Sequence, residues 1–242
     1  MHIVTVCTAN VCRSPAAATL LRSRLSGIGS VHVSSAGVAA PEGARSCPDM
    51  TALVRDRLHG AQLSEHVARL LTSDMLKAAD LVLVAEHAHL ADIGRIVPSV
   101  GPRSFTLRRA ADLARTIAQQ APSARPQRVR SSVSSGLSGE GPTSPVPAAA
   151  PGTPPLPAAE DVEARLQWLV TEMNEARTAS LGIVPQPRRA PLIRLRRRQP
   201  EVPSTDVPDP HAHRHDIHRD AFAMLADAVD ELASGIRDVL AR

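Results

Sequence analysis

The sequence contains no tyrosine, two phenylalanines (Phe105 and Phe222) and one tryptophan, Trp168. Modules that read single-stranded nucleic acid stack bases on aromatic platforms, so this inventory argues against them. Any core must instead be aliphatic. Three cysteines in 242 residues make no disulfide framework. No apolar run approaches the roughly 20 residues that a membrane span needs. The opening residues, Met1-His2-Ile3-Val4-Thr5-Val6, lack a basic segment followed by a long apolar one, so they do not read as a signal peptide. No membrane insertion and a cytoplasmic location are therefore expected. Lysine is almost missing too: Lys77 is alone against 27 arginines.

The net charge of +4 is carried by residues 119–202, with 11 Arg against 7 acids; the rest of the chain balances. Six of those arginines lie within 188–198. No fold motif accompanies them, so they read as a solvated arm, and nucleic acid is not expected as a partner.

A hydrophobic fraction of 43% can supply a core. Residues 2–7 (HIVTVC), 31–35 (VHVSS) and 80–84 (DLVLV) are short, apolar and rich in β-branched residues, as buried strands are. A fourth short strand is expected at 103–106. Helices are expected from Pro15, with Ala16, Leu20, Leu21 and Leu25 on one side, and over 49–59 (closed by Gly60), 87–97 and 107–118. Strand and helix alternate, which predicts an α/β fold with a parallel sheet.

From 119 to 159, Pro, Ala, Ser and Gly dominate without periodicity, as in a disordered linker. Over 160–180, Val162, Leu166, Leu169, Met173 and Ala176 recur at helical spacing beside Trp168, predicting an amphipathic helix that docks on the sheet domain. Residues 181–202 form an Arg/Pro-rich loop. A last amphipathic helix over about 216–240 carries Phe222, Leu225, Ala226, Val229, Leu232, Ile236 and Leu240.

The chemistry concentrates at the end of the first strand, in Cys7-Thr8-Ala9-Asn10-Val11-Cys12-Arg13-Ser14-Pro15. A cysteine closes a strand, and an Arg-Ser pair opens a helix six residues later. A loop of this length at a helix amino terminus can cradle a tetrahedral oxyanion with its backbone N–H groups. The same positive field favours a thiolate. Arg13 offers a planar fork for two phosphate oxygens, and Ser14 a hydrogen bond to sulfur. Asn10 tolerates the left-handed backbone that a tight loop needs. His211, His213, His215 and His218 form a second cluster, but no cysteine completes a metal set beside them in sequence, and no metal or other cofactor is expected.

VCTANVCRSP resembles the phosphate loop of the low-molecular-weight protein tyrosine phosphatases. Ser34-Ser-Ala-Gly37 resembles that family's second-strand end. Ser64-Glu-His-Val-Ala-Arg69 with Ala79-Asp-Leu-Val-Leu-Val84 resembles its His-x-Ala-Arg helix segment and third strand. Asp206-Val-Pro-Asp-Pro210 resembles its late Asp-Pro loop. The resemblance covers 1–118 and 203–242. It implies a flavodoxin-like three-layer α/β/α domain with a four-stranded parallel sheet, interrupted by the long insertion.

By the same resemblance, Cys7 is the nucleophile that forms a phosphocysteine, and Arg13 holds the phosphoryl oxygens. Asp209 is the general acid, with Asp206 as the alternative on the same loop. Thr8, Ala9, Asn10, Val11, Cys12 and Ser14 complete the phosphate loop, supported by His66 and Ser35. Cys12 is either a thiol able to trap oxidised Cys7 or packing beneath the loop. The implied function is phosphate monoester hydrolysis on phosphotyrosyl protein. The rival readings are an arsenate-reducing thiol enzyme, for which no cysteine follows Cys47, and a phosphoprotein-binding scaffold. The chain departs from the family pattern at Ala9, where glycine is usual, and in aromatic residues: Glu42 and His211 stand at the substrate rim where rings are usual.

Overall fold

The computed structural model describes residues 1–29, 31–59, 63, 65–121, 155–182, 205–211 and 215–242. Most of the expected linker at 119–159, nearly all of the Arg/Pro-rich loop at 181–202, and the expected helix stop Gly60 lie outside the described residues. At the near ends of these stretches, the helix expected to stop at 118 runs on to Gln120, and Pro157 and Ala158 accept hydrogen bonds from Arg165.

The elements are β1 (His2–Cys7), α1 (Arg13–Arg24), β2 (His32–Gly37), α2 (Pro48–Leu58), α3 (Ser73–Ala78), β3 (Leu81–Val84), α4 (His87–Ile96), a 3-10 turn (Pro98–Arg103), β4 (Ser104–Thr106), α5 (Leu107–Gln120), α6 (Val162–Gly182) and α7 (His215–Leu240). The strands form one parallel sheet in the order β2-β1-β3-β4. The order reverses direction between β1 and β3, and in open α/β sheets ligands bind outside the carboxyl ends of the strands at that crevice.

Strand periodicity divides the core. Ile3, Leu81 and Leu83 face the cluster covered by α1, α5, α6 and α7, whereas Val4, Val6, Val82 and Val84 face the smaller cluster with Leu76 of α3 and Ile93 of α4. The sheet is thus the middle of three layers. Among the described residues, no helix is long and apolar enough to cross a membrane.

Leu166, Trp168, Leu169 and Met173 of α6 are buried in the larger cluster. So is the Arg165 side chain, whose Nη1 donates to the carbonyls of Val239 and Leu240 at the end of α7. A cation there satisfies carbonyls left open by the helix end and complements its dipole. Gly235 of α7 meets α5 so closely that a Cβ would lie 2.8 Å from the backbone carbon of Ala114.

Three local expectations change. Helix α2 is closed by His59 in a left-handed conformation (φ 42°), whose N–H reaches the Arg55 carbonyl before the chain arrives at Gly60. The His66–Arg69 segment is extended rather than helical. Its backbone is taken up by bridges, Ala68 N–H to the Ala44 carbonyl and Leu71 N–H to the Gly37 carbonyl, which replace intrahelical bonds. Helix α3 was not anticipated; its signal is Thr72, whose Oγ1 caps it by accepting from the Met75 N–H.

Candidate active site

The loop between β1 and α1 is shaped by Asn10. Its φ of 55° is left-handed, and its side chain holds both walls of the turn. Nδ2 donates to Ser14 Oγ at 2.9 Å, and Oδ1 accepts from the Arg69 N–H at 3.1 Å. His66 Nε2–H donates to the Asn10 carbonyl at 2.9 Å, which fixes that ring's tautomer. Burial, with the Arg69 charge adding to it, pushes the His66 pKa below its ordinary value, against the bond to the Asn10 carbonyl, which acts to raise it. Ala9 does not need the glycine conformation, because the positive φ falls on Asn10.

Gly37 makes the loop possible from the other side. A Cβ there would lie 2.5 Å from the Thr8 carbonyl oxygen and 2.8 Å from the Asn10 nitrogen. Ser35 contributes its backbone carbonyl, which accepts from Arg69 Nε at 2.8 Å.

Cys7, at the carboxyl end of β1, is buried, with Sγ 3.0 Å from Ser14 Oγ. Ser14 Oγ also lies 3.2 Å from the Ala36 carbonyl. Arg13, 2% exposed, aims its guanidinium at the same place. Nη1 donates to Glu86 Oε1 and to the Val207 carbonyl; Nη2 pairs with Asp209 Oδ2 at 2.9 Å. Its Nε–H is buried without a hydrogen-bond acceptor among the described residues. Cys7, Ala9, Val11, Cys12, Arg13, Asp209 and His211 line one small cleft.

The 205–211 segment crosses the carboxyl ends of β3 and β4. Val207 N–H donates to the Ala85 carbonyl, and Thr205 Oγ1 meets Thr106 Oγ1 at 2.8 Å. The two acids of that loop part company. Asp209 faces Arg13, while Asp206 Oδ1 accepts from the backbone N–H of His87 and lies 2.9 Å from its Nδ1. Burial acts to raise the Asp206 pKa, but these His87 bonds outweigh it and hold the carboxyl below its usual range. Glu42 is exposed and does not line the cleft; His211 does.

Sequence reasoning missed Glu86 and His89. Both follow β3, so the available signal was the parallel pairing of β3 with β1. His89 Nδ1 accepts the Glu86 N–H, which leaves Nε2–H to donate to Thr8 Oγ1 at 3.1 Å. Thr8 Oγ1 also accepts from Arg13 Nη2 at 3.4 Å.

It also missed the company of Cys12. Cys12 Sγ, Cys47 Sγ and His218 Nε2 lie within 4.8 Å of one another. The hydrogen bond between the two thiols draws the Cys47 pKa down to about 5, the sum of that bond, burial opposing it, and the Met50 N–H and His218 adding to it. The Cys12 thiol is correspondingly raised by the same bond and by burial. Of the remaining cluster, His215 pairs with Asp49 and His213 lies outside the described residues.

A buried cysteine, an arginine fork and a carboxylate thus meet around one cleft at the switch point of a parallel sheet, and the chain that carries them matches a known family by sequence. The family model described as low molecular weight phosphotyrosine protein phosphatase matches residues 2–109. The probable low molecular weight protein-tyrosine-phosphatase AmsI of Erwinia amylovora is 41% identical over 98 residues, 40% of this chain and 65% of that protein. Etp of Escherichia coli (strain K12), a low molecular weight protein-tyrosine-phosphatase, is 43% identical over 99 residues, 40% and 63% respectively. The matched stretch thus spans just under two thirds of these two relatives. The protein-arginine-phosphatase of Bacillus subtilis (strain 168) is 36% identical over 109 residues, 45% of this chain and 71% of that one.

The fold is shared with solved structures. The crystal structure of AmsI superposes with a TM-score of 0.52 at 18% identity, covering 96% of this chain and 91% of that one. A mutant of the arginine phosphatase YwlE with a phosphorylated active-site serine gives 0.55 at 21% identity, covering 98% and 96%. This chain belongs to the low molecular weight phosphotyrosine protein phosphatase family.

Proposed function

We propose that the protein hydrolyses phosphate monoesters on phosphotyrosyl proteins through a phosphocysteine intermediate. The observation that carries this reading is the buried Arg13 fork beside Cys7, with its Nε–H still lacking an acceptor. A tetrahedral oxyanion in the cleft supplies that acceptor and a second oxygen for Nη2.

In the first step the Cys7 sulfur attacks phosphorus. The S–P bond forms as the P–O bond to the leaving group breaks, and Asp209 gives that oxygen its proton. Arg13 and the loop amides hold the equatorial oxygens as charge redistributes. In the second step the Asp209 carboxylate takes a proton from water as the water oxygen attacks phosphorus. The P–S bond breaks, and inorganic phosphate leaves with the thiolate restored. Glu86 and Val207 position Arg13; Ser14 and Asn10 position the sulfur.

The test compares wild type and Cys7→Ser on p-nitrophenyl phosphate, a phosphotyrosine peptide, an alkyl phosphate and, with a thiol reductant, arsenate. Wild type is expected to release phosphate from both aryl substrates, and Cys7→Ser to lose turnover while still binding phosphate. Turnover that survives in Cys7→Ser, or arsenate reduction without ester hydrolysis, overturns the reading.

A further inference from the structure

We propose that Cys12, Cys47 and His218 form a binding site for a soft divalent metal ion, Zn²⁺ above all, that ties the phosphate loop to helices α2 and α7. Three elements distant in sequence converge here. Cys12 precedes α1, Cys47 precedes α2, and His218 lies in the first turn of α7.

Their ligand atoms all lie within 4.8 Å of one another, and Cys47 Sγ is 3.2 Å from His218 Nε2. A tetrahedral Zn²⁺ with bonds of about 2.3 Å to sulfur and about 2.0 Å to nitrogen sets its ligands somewhat under 4 Å apart, so closing the set takes a shift of roughly an ångström. His211 Nδ1, 3.8 Å from Cys12 Sγ, brings a fourth donor to the same sulfur.

Two sulfurs and an imidazole are the donors that Zn²⁺ selects over Mg²⁺ or Ca²⁺, which take oxygen. Cys12 and Cys47 each immediately precede a helix, so separate backbone elements hold the two sulfurs in place. Binding displaces to solvent the protons that the two thiols carry. No electron changes hands in the step. With its sulfur ligated, Cys12 is no longer free to exchange with Cys7, so occupancy would withdraw this thiol from any redox chemistry at the loop.

The site is tested on the full chain, stripped with chelator, kept reduced with a phosphine, and titrated with Co²⁺ and then Zn²⁺. One equivalent of Co²⁺ is expected to give sulfur-to-cobalt charge-transfer absorption and intense tetrahedral visible bands, both erased by Zn²⁺. Cys47→Ser and His218→Gln should each weaken binding about tenfold or more, with folding checked by circular dichroism. Cys47 is only half-buried, so its serine variant is the one expected to fold unchanged. Cys7→Ser should bind as wild type does. No charge-transfer band in the wild type overturns the proposal, as does a Cys47→Ser variant whose band has wild-type intensity and titrates with wild-type affinity. A band lost in Cys7→Ser also overturns it, by placing the ion on the nucleophile. A Cys12–Cys47 disulfide that forms in air, with no ion bound after reduction, likewise refutes it. None of these readouts depends on turnover, so they stand apart from the phosphatase reading.

Discussion

Asp209 Oδ2 lies 2.9 Å from Arg13 Nη2, and Asp206, three residues earlier on the same loop, turns instead to His87 at the start of α4. Only one of these carboxylates can reach an oxygen leaving the Cys7 cleft. Asp209→Asn should therefore slow hydrolysis of alkyl and unactivated aryl phosphates about 100- to 10,000-fold, and activated nitrophenyl esters much less. Asp206→Asn should weaken the loop's attachment and lower Tm without that leaving-group dependence. The slope of log kcat against leaving-group pKa decides the matter; a steep slope in Asp206→Asn and none in Asp209→Asn would reverse the assignment.

The two tightly packed glycines separate function from stability. At Gly37 an added methyl meets the backbone of Thr8 and Asn10, atoms of the loop between β1 and α1. At Gly235 it meets Ala114 in the α5–α7 contact, away from the cleft. Overpacking of this kind costs about 1–3 kcal/mol. Gly37→Ala should lose phosphate binding and most turnover for whatever stability it costs. Gly235→Ala should lose a similar amount of stability and keep its kcat/KM at temperatures where it is folded. Equal kinetic damage in both variants, measured alongside their melting curves, would refute the distinction.

The elements most legible in the sequence carry their own pattern. The apolar run Leu81–Val84 is buried throughout, and the α7 stripe from Phe222 to Ile236 and the α6 stripe around Leu166 and Met173 each show a periodicity that burial repeats. The loop between β1 and α1 was legible because Cys7 through Ser14 is one continuous string. What stayed hidden comes from strand order and helix packing. Glu86 reaches Arg13 because β3 pairs with β1, and Cys47 meets Cys12 because its N–H reaches the Val11 carbonyl and lays the start of α2 against the loop. Nothing local in either residue's neighbourhood signals that meeting. His218 of the histidine cluster meets Cys12 and Cys47 in the same way, near in space but far off in sequence.

His89 gives the fold a pH dependence with a definite sign. Its Nδ1 accepts from Glu86 and its Nε2–H serves Thr8, an arrangement open only to the neutral ring. Burial first, and the Arg13 charge second, push its pKa below the ordinary 6.5. The unfolded chain thus takes up the proton more readily than the folded one. Stability is complete above about pH 6.5 and is lost as pH falls toward and through the folded value. The melting temperature should be flat from about pH 7 upward and decline as pH falls below about 6.5, with His66, shifted the same way, adding to the slope. The variant pair His89→Gln and His66→Gln should have a lower plateau and a shallower decline. An unchanged slope in the doubly substituted protein would assign the effect elsewhere.

The mouth of the cleft offers a substrate ring little to pack against. Cys7, Ala9, Val11, Cys12, Arg13, Asp209 and His211 line it, and no ring of Phe, Tyr or Trp is among them. An aromatic wall adds about 0.5–1.5 kcal/mol per ring beyond burial, or roughly twofold to tenfold in affinity. Without one, phosphate is gripped by Arg13 and the loop while the ester group is left with polar and aliphatic contacts. Generic aryl phosphates should turn over with a high KM, and a phosphotyrosine peptide should gain little over phenyl phosphate. Replacing His211 and the adjacent Ala212 with Tyr should lower KM for the peptide about twofold to tenfold per productive ring and leave alkyl phosphates unchanged. Steady-state kinetics in the presence of chelator keep metal at Cys12 out of the comparison. A wild type that already binds such peptides in the low micromolar range, or a graft that shifts both substrate classes equally, would show that the missing wall does not limit recognition.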